Sequence, residues 1–564
     1  MFAAMFRVEE ILPMTFRLAL SILVLAALPL AAQGTYALPA GADAAAATIS
    51  AERLRAHVAF LSDDLLEGRG PASRGDELAR RYIATQMMEL GLEPGMPDGT
   101  WQQRFDLVGV NATVPGTWAF SGPKGKEATF TNSTEYIVAS GDQAPAVSVS
   151  GAELVFVGYG IEAPEYKWDD YKGQDLKGKI LVMMNNDPDW DPKLFEGSRR
   201  LYYGRWTYKY EIAAAKGAAG AIIIHTTPSA GYGWNVVQSS WTGEQFELPA
   251  AGEPRMALKG WMTEEAARRL IQMSGKDMDK LIASAKDRKF KPVPLGITTT
   301  FALQNEVSRK QTANVIGVLP GTDLENEYIV YTAHHDHLGM ADEGDDRIYN
   351  GARDNALGVA QTLAVARAFT ELPARPRRSI IFNFVAAEEQ GLLGSKFYAQ
   401  NPTVKPGQMV ANINLDGGNI FGKTKDAVQV GAGKSNIDDI VRFAAEKQGR
   451  VLKPEQFPDR GSYYRSDQFN FAKIGVPAIY ASSGSDFADR PEGWGRERVQ
   501  EWTAKHYHQP SDELEDDWDF GGAIQDAELA FIAGAVISGM DVTPVWNAGD
   551  EFEAARKKAL AELP

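Results

Sequence analysis

No cysteine occurs among the 564 residues. That absence excludes disulfides, thiolate metal sites and cysteine nucleophiles. Any metal must therefore rest on His, Asp and Glu. Histidines number only seven, so their placement can be read in full. Positive charge is scarce as well: 58 basic against 74 acidic residues give a net charge of −16. An acidic chain with no strong basic run gains no counterion-release affinity for nucleic acid. The apolar run Leu18 to Ala32, LALSILVLAALPLAA, falls short of the roughly 18–20 residues that span a bilayer.

That run is preceded by Arg17 and followed by small residues, Gln33 and Gly34. This is the pattern of a signal peptide over residues 1–33. Glu9 and Glu10 sit badly in a basic leader, and a start at Met14 gives a cleaner one. The expectation is export, to the periplasm or the medium, with no stable membrane anchor after cleavage. What remains is ordinary globular composition, 44% apolar and 23% charged, long enough for more than one domain at about 100–200 residues each.

Ile49 to Leu92 has helical spacing, with Ala51, Leu54, His57, Val58 and Leu61 on one side and a second helix over Leu78 to Leu90. His57 reads as a packed histidine. From about residue 140 to 295 the texture changes to short strand-like runs (Glu153 to Tyr159, Lys179 to Met184, Gly220 to His225), Gly-rich turns and a helix over Tyr208 to Lys216. His225 reads as structural. From Asn314 onward strand and helix alternate: Tyr328 to Ala333, a helix over Asn355 to Phe369, Ser379 to Ala386, a helix beginning in Gly391 to Tyr398, then strands at Val410 to Leu415 and Val476 to Ala481. Continuous apolar strands alternating with helices predict an α/β sheet covered on both faces. The acidic tail after Pro544 reads as a terminal helix.

Five histidines lie in two clusters, His334-His335-Asp336-His337 at the end of an apolar strand, and His506-Tyr507-His508 followed by Gln509-Pro510-Ser511-Asp512. Between them come Asp354 in a turn, Glu388 and Glu389 after SIIFNFVA, and Asp416 after VANINL. Ligands of open α/β sheets gather beyond the carboxyl ends of the strands. Carboxylates converging there repel one another unless cations lie between them. Imidazole and carboxylate donors without thiolate suit zinc in a catalytic site.

The ordered set AHHDH, GARDNALG, AAEEQGLLGS, NINLDGG and YHQPSDE resembles the di-zinc aminopeptidases of the aminopeptidase/glutamate carboxypeptidase type of metallopeptidase, from about Asn314 to Val542. The phrases DDYKGQDLKGKILVM and KYEIAAAKGAAGAIIIH resemble the protease-associated (PA) domain inserted in several peptidases. The resemblance implies a three-layer α/β peptidase domain around a central mixed, mostly parallel sheet, with a β-rich PA domain inserted. Residues 48–139 and 296–545 would form the peptidase domain, 140–295 the insertion and 546–564 a tail. It implies two zinc ions and these roles. His334 and Asp416 bind one zinc, Glu389 and His508 the other, and Asp354 bridges them, with a cis peptide before Asn355. Glu388 is the general base and acid. Asp336 orients His334 through its other ring nitrogen, and Tyr507 polarises the scissile carbonyl. His335, His337 and His506 are neighbours. One departure is Gln468, where many relatives have His, at a position that holds no metal.

The function so implied is an exported exopeptidase that removes N-terminal residues from peptides, its oligomeric state open. An alternative is a carboxypeptidase of the glutamate type, which needs basic pocket residues such as Arg199, Arg200 or Arg205. Two others are a metal-free binding module, which the intact ligand set disfavours, and an amine-cyclising transferase with a single zinc.

Overall fold

The computed structural model describes residues 36–563, so the signal-peptide expectation over residues 1–33 lies outside the described residues. The compact unit that begins at Ala37 holds every element described below. No helix among the described residues is long and apolar enough to cross a membrane.

One sheet of fifteen strands runs through that unit. Along its main path the order is Ala478–Ile479, Met409–Asn414, Leu324–His334, Arg378–Val385, Val293–Leu319, Ala146–Phe156, Ile180–Met184, Gly220–His225, Leu258–Thr263 and Tyr136–Ser140. The first four pair in parallel. The strand Val293–Leu319 then joins antiparallel, its last residues paired with Arg378–Val385 and its first with Ala146–Phe156. Between these it pairs with Gln102–Thr113. The next three neighbours are again parallel, and Tyr136–Ser140 closes the path antiparallel. The expected mixed, mostly parallel sheet is thus present.

Strand alternation sorts the side chains to two faces. Ile316, Val330 and Ile381 pack with Tyr398 and Phe471 from the helices Leu393–Gln400 and Gln468–Lys473. Their strand neighbours Tyr331 and Phe382 point the other way, where Tyr331 meets Phe369 and Phe369 meets Phe531, from the helices Leu357–Thr370 and Gly521–Gly539. Arg378–Val385 is buried along its whole length, which is why it reads as a continuous apolar run. Helix Ala51–Leu61 buries Leu54, Val58 and Leu61.

The β-rich side has its own core, which includes Trp118, Phe120 and Phe130 as well as Phe156, Val182 and Ile224. Phe469, Trp546 and Phe552 belong to the same cluster, so this core is continuous with the C-terminal part of the chain. The expected strand Val476 to Ala481 is two: Ala478–Ile479 joins the main sheet, and Ala481–Ser483 pairs with Asp426–Gln429 in a small separate one. The terminal helix is Glu553–Ala561.

Candidate metal centre

Three strands end at one place. His334 is the last residue of Leu324–His334, Glu388 and Glu389 follow Arg378–Val385, and Asp416 follows Met409–Asn414. The turn with Asp354 and the segment with His508 reach the same edge. His334 Nε2 lies 3.3 Å from Asp354 Oδ1 and 3.3 Å from Asp416 Oδ1. His508 Nε2 lies 3.3 Å from Asp354 Oδ2 and 3.0 Å from Glu389 Oε2. The two oxygens of Asp354 therefore face two separate imidazole–carboxylate pairs. All five expected metal-ligand residues meet here.

The donor set fits metal. His508 Nε2 is buried and has no hydrogen-bond partner of acceptable geometry, although two carboxylates lie within 3.3 Å. Donor atoms bound about 2.0–2.2 Å from one tetrahedral zinc stand at such separations. His334, Asp354 and Glu389 each offer one ligand atom, all within 4.8 Å of one another.

The charges point the same way. Burial pushes Glu388 well above the ordinary carboxylate range; His334 opposes this, and Glu389, Asp416 and Asp467 add to it. Burial would lower His334, but Glu388, Asp354 and Asp416 outweigh it and raise the imidazole well above its usual value. His508 is raised to about 10, because Glu389 and Asp354 overcome burial. Glu389 is lowered to about 2, as His508 and His337 overcome burial and the charge of Asp354. Asp354 falls well below its usual range against burial, because the imidazoles of His334, His508 and His337 around it favour its charged form. A centre that draws protons onto two histidines in this way is a site for positive charge.

Asp336 does lie against the other ring nitrogen of His334, its main chain closer than its carboxylate. The nearest partner of His334 Nδ1 is the main-chain carbonyl of Asp336 at 3.2 Å, while its carboxylate stands 3.8 Å away. That carboxylate accepts the main-chain N–H groups of Glu388 (3.0 Å) and Glu389 (3.3 Å). It thus fixes the main chain of Glu388 and Glu389 more directly than the imidazole of His334. Tyr507 lies beside His508, and its hydroxyl accepts from Arg465 at 3.3 Å. Burial raises its pKa far enough to keep it a neutral phenol, although Arg465 opposes this. The cis peptide joins Asp354 and Asn355 as expected.

The three remaining clustered histidines are neighbours. His337 Nδ1 touches Glu389 Oε1 at 2.7 Å, His335 Nε2 touches Asp76 Oδ1 at 2.9 Å, and His506 Nδ1 touches Ser511. His57 bonds Tyr82, and His225 faces the carbonyl of Tyr232. Gln468 is buried between Asn414 and the Tyr463 carbonyl.

The local backbone is costly. Gly351 has φ +56°, and a Cβ there would stand 2.3 Å from the Asp354 carbonyl oxygen. Ala387, just before Glu388, and His508 both have φ 56°, a region non-glycine residues rarely occupy. Two supports went unread in the sequence. The Arg69 guanidinium donates to the carbonyls of His335 (2.9 Å), Asn350 (2.6 Å), Gly351 (2.9 Å) and Leu61, binding the loop after His334 to the turn before Asp354. The carboxylate of Asp512 holds the turn from the other side. Asp512 lies within YHQPSDE and was within reach of that motif; nothing local marks Arg69.

Two hollows meet at the centre. One, of about 330 Å³, has aromatic walls that include Phe421, Phe457, Phe487 and Trp502. The other, of about 200 Å³, lies against the β-rich side and includes Arg205, Trp241, Lys396 and Lys473. Arg199 and Arg200 donate instead to main-chain carbonyls, of Ala432 and Ser229.

An α/β domain with paired imidazole–carboxylate sets at its sheet edge defines a metallopeptidase type of centre. Residues 314–532 match the model of Peptidase family M28, which bears out the recognition drawn from the five motifs. The chain is 27% identical over 257 residues to leucine aminopeptidase 2 of Arthroderma otae, covering 44% of this chain and 47% of that one. It is 28% identical over 224 residues to leupeptin-inactivating enzyme 1 of Streptomyces exfoliatus, covering 39% and 47%. The chain thus spans about half the length of the curated relatives it matches. The aminopeptidase from Aneurinibacillus sp. strain AM-1 shares the fold, with a TM-score of 0.52 at 20% identity over 87% of this chain and 95% of that one.

Proposed function

We propose that the protein is a zinc-dependent aminopeptidase that binds two metal ions and hydrolyses N-terminal residues from peptides. The observation that carries this reading is Asp354, each of whose oxygens faces a different imidazole–carboxylate pair. His334 and Asp416 would hold one ion, Glu389 and His508 the other, with Asp354 between. When bound, the ions would supply Lewis-acid polarisation of the scissile carbonyl and a water of lowered pKa.

The chain's own groups do the rest. Glu388, buried at the edge of both hollows, takes a proton from the attacking water as its oxygen bonds to the carbonyl carbon. It then passes that proton to the leaving amine as the C–N bond breaks. The Tyr507 hydroxyl, neutral and beside His508, donates to the oxygen on which charge develops. The free α-amine of the substrate meets the carboxylates around the centre. We further assign the leading segment to export and residues 140–295 to a PA-like insertion.

A panel of aminoacyl amides, with and without chelator, tests the reading. Free N-termini should be cleaved, N-acetylated ones spared, chelator should abolish turnover, and zinc should restore it at two equivalents per chain. Turnover indifferent to chelator overturns it. The first residue of protein recovered from the medium or periplasm should lie past the apolar run Leu18 to Ala32. Arg205 favours one second reading, a C-terminal exopeptidase: it lines the hollow beyond Glu389 and His508, and its buried Nε has no hydrogen-bond partner among the described residues. Cleavage of acetylated peptides with free C-termini would select that reading.

A further inference from the structure

The two imidazole ligands are supported in different ways. His334 Nδ1 faces a carbonyl of its own loop, two residues along the chain. His508 Nδ1 instead meets the hydroxyl of Ser240 at 2.8 Å, across 268 residues of sequence. Ser240 ends the helix Trp234–Ser240 on the β-rich side, and it is the one partner that Nδ1 has among the described residues.

That hydroxyl is firmly placed. Trp234 Nε1 donates to the Ser133 carbonyl at 2.7 Å, and Gln238 Nε2 to the same carbonyl at 3.0 Å. Val236 and Val237 are buried. Trp241 packs its ring edge-on to Trp206 and Trp261. Six residues beyond Ser240, the main-chain N–H of Phe246 donates to Gln390 Oε1 at 2.9 Å, next to Glu389. One short segment therefore touches the flanks of both Glu389 and His508. Nothing comparable from that segment reaches His334 or Asp416.

A hydroxyl that accepts from Nδ1–H fixes the neutral tautomer in which Nε2 keeps its lone pair, and it holds the ring plane. We infer that Ser240 is a positioning residue for His508, so that the β-rich side of the molecule sets the affinity of one metal position and not the other. This rests on the two-metal reading above and adds to it a division of labour between the positions.

The test is metal affinity of Ser240→Ala, read by competition with a chromogenic chelator and by the absorption of the cobalt-loaded protein. One of the two equivalents should bind about 10–100-fold more weakly, the usual cost of losing such an outer partner. The other should bind as in the wild type, with the cobalt band of a single position altered. Ser240→Thr, which keeps the hydroxyl, should hold both equivalents. The melting temperature of the metal-free protein should be the same in Ser240→Ala as in wild type. Equal affinity for both equivalents in Ser240→Ala and wild type overturns the inference, as does equal weakening of both. A wild type that binds fewer than two metals overturns the two-metal reading first, and this inference with it.

Discussion

Asp512 grips the main chain at Asp354. Its Oδ2 accepts the N–H of Asp354 at 3.0 Å, its Oδ1 accepts that of Arg353 at 3.0 Å, and its own carbonyl accepts from Ala352. The residue that faces both imidazoles is thus aimed by a carboxylate four positions after His508. In Asp512→Asn only one side-chain oxygen remains, and an amide NH₂ is turned towards a main-chain N–H. Metal affinity should fall about 10–100-fold, measured by chelator competition, with the fold retained by circular dichroism. Unaltered affinity would remove Asp512 from the machinery.

Glu388→Gln should keep both metals and lose turnover by about 10²–10⁴, the share a positioned proton transfer supplies. The loss should appear in kcat, with KM little altered, because the amide occupies the same space. Bound zinc and turnover must be measured on one sample. Wild-type turnover in a fully loaded variant sinks the assignment.

Arg69→Met should destabilise the fold by at least about 3 kcal/mol, since several buried carbonyls lose their donor at about 1–3 kcal/mol each. Arg69→Lys should recover part of this, because an ammonium has fewer donors and no planar fork. Urea unfolding of the metal-free protein reads both. The same variants should lose metal, because the guanidinium ties the His335 and Gly351 loops together.

His225 is buried, and that burial pushes its imidazole down to about 4, against a raising bond to the Tyr232 carbonyl. In the unfolded chain it titrates near 6.5. Between those values the unfolded state takes up a proton that the folded state refuses. Stability should therefore fall as pH drops from about 6.5 towards 4, by up to about 1.4 kcal/mol per pH unit from this group. His225→Gln should show a shallower slope over that window in urea melts. Identical slopes would show that the histidine is not held neutral.

The centre was legible in sequence because its chemistry-bearing residues stand where strands stop. His334, Glu389 and Asp416 each follow a run whose every residue is apolar or buried, and that boundary is a local signal. The supports were not legible, because they act across the chain. Ser240 meets His508 268 positions away, and Arg69 meets Gly351 282 positions away; neither leaves a period or a spacing. Helix boundaries slipped where the backbone is irregular. The expected start at Asn355 gives way to Leu357, because Asp354 and Asn355 have non-helical angles within the turn that carries the centre. Asp336 meets the second ring nitrogen of His334, as the motif implies. The structure shows its carbonyl on His334 and its carboxylate on the chain of Glu388.

The 27-residue strand Val293–Leu319 has a mechanical consequence. One end is laced into the sheet that carries the histidines and carboxylates, the other into the β-rich side that carries Ser240. Swinging one side away from the other would unzip backbone pairing along a single continuous rod. Any widening of the mouth beside Glu389 and His508 by such a swing would have to bend that strand or break its pairing.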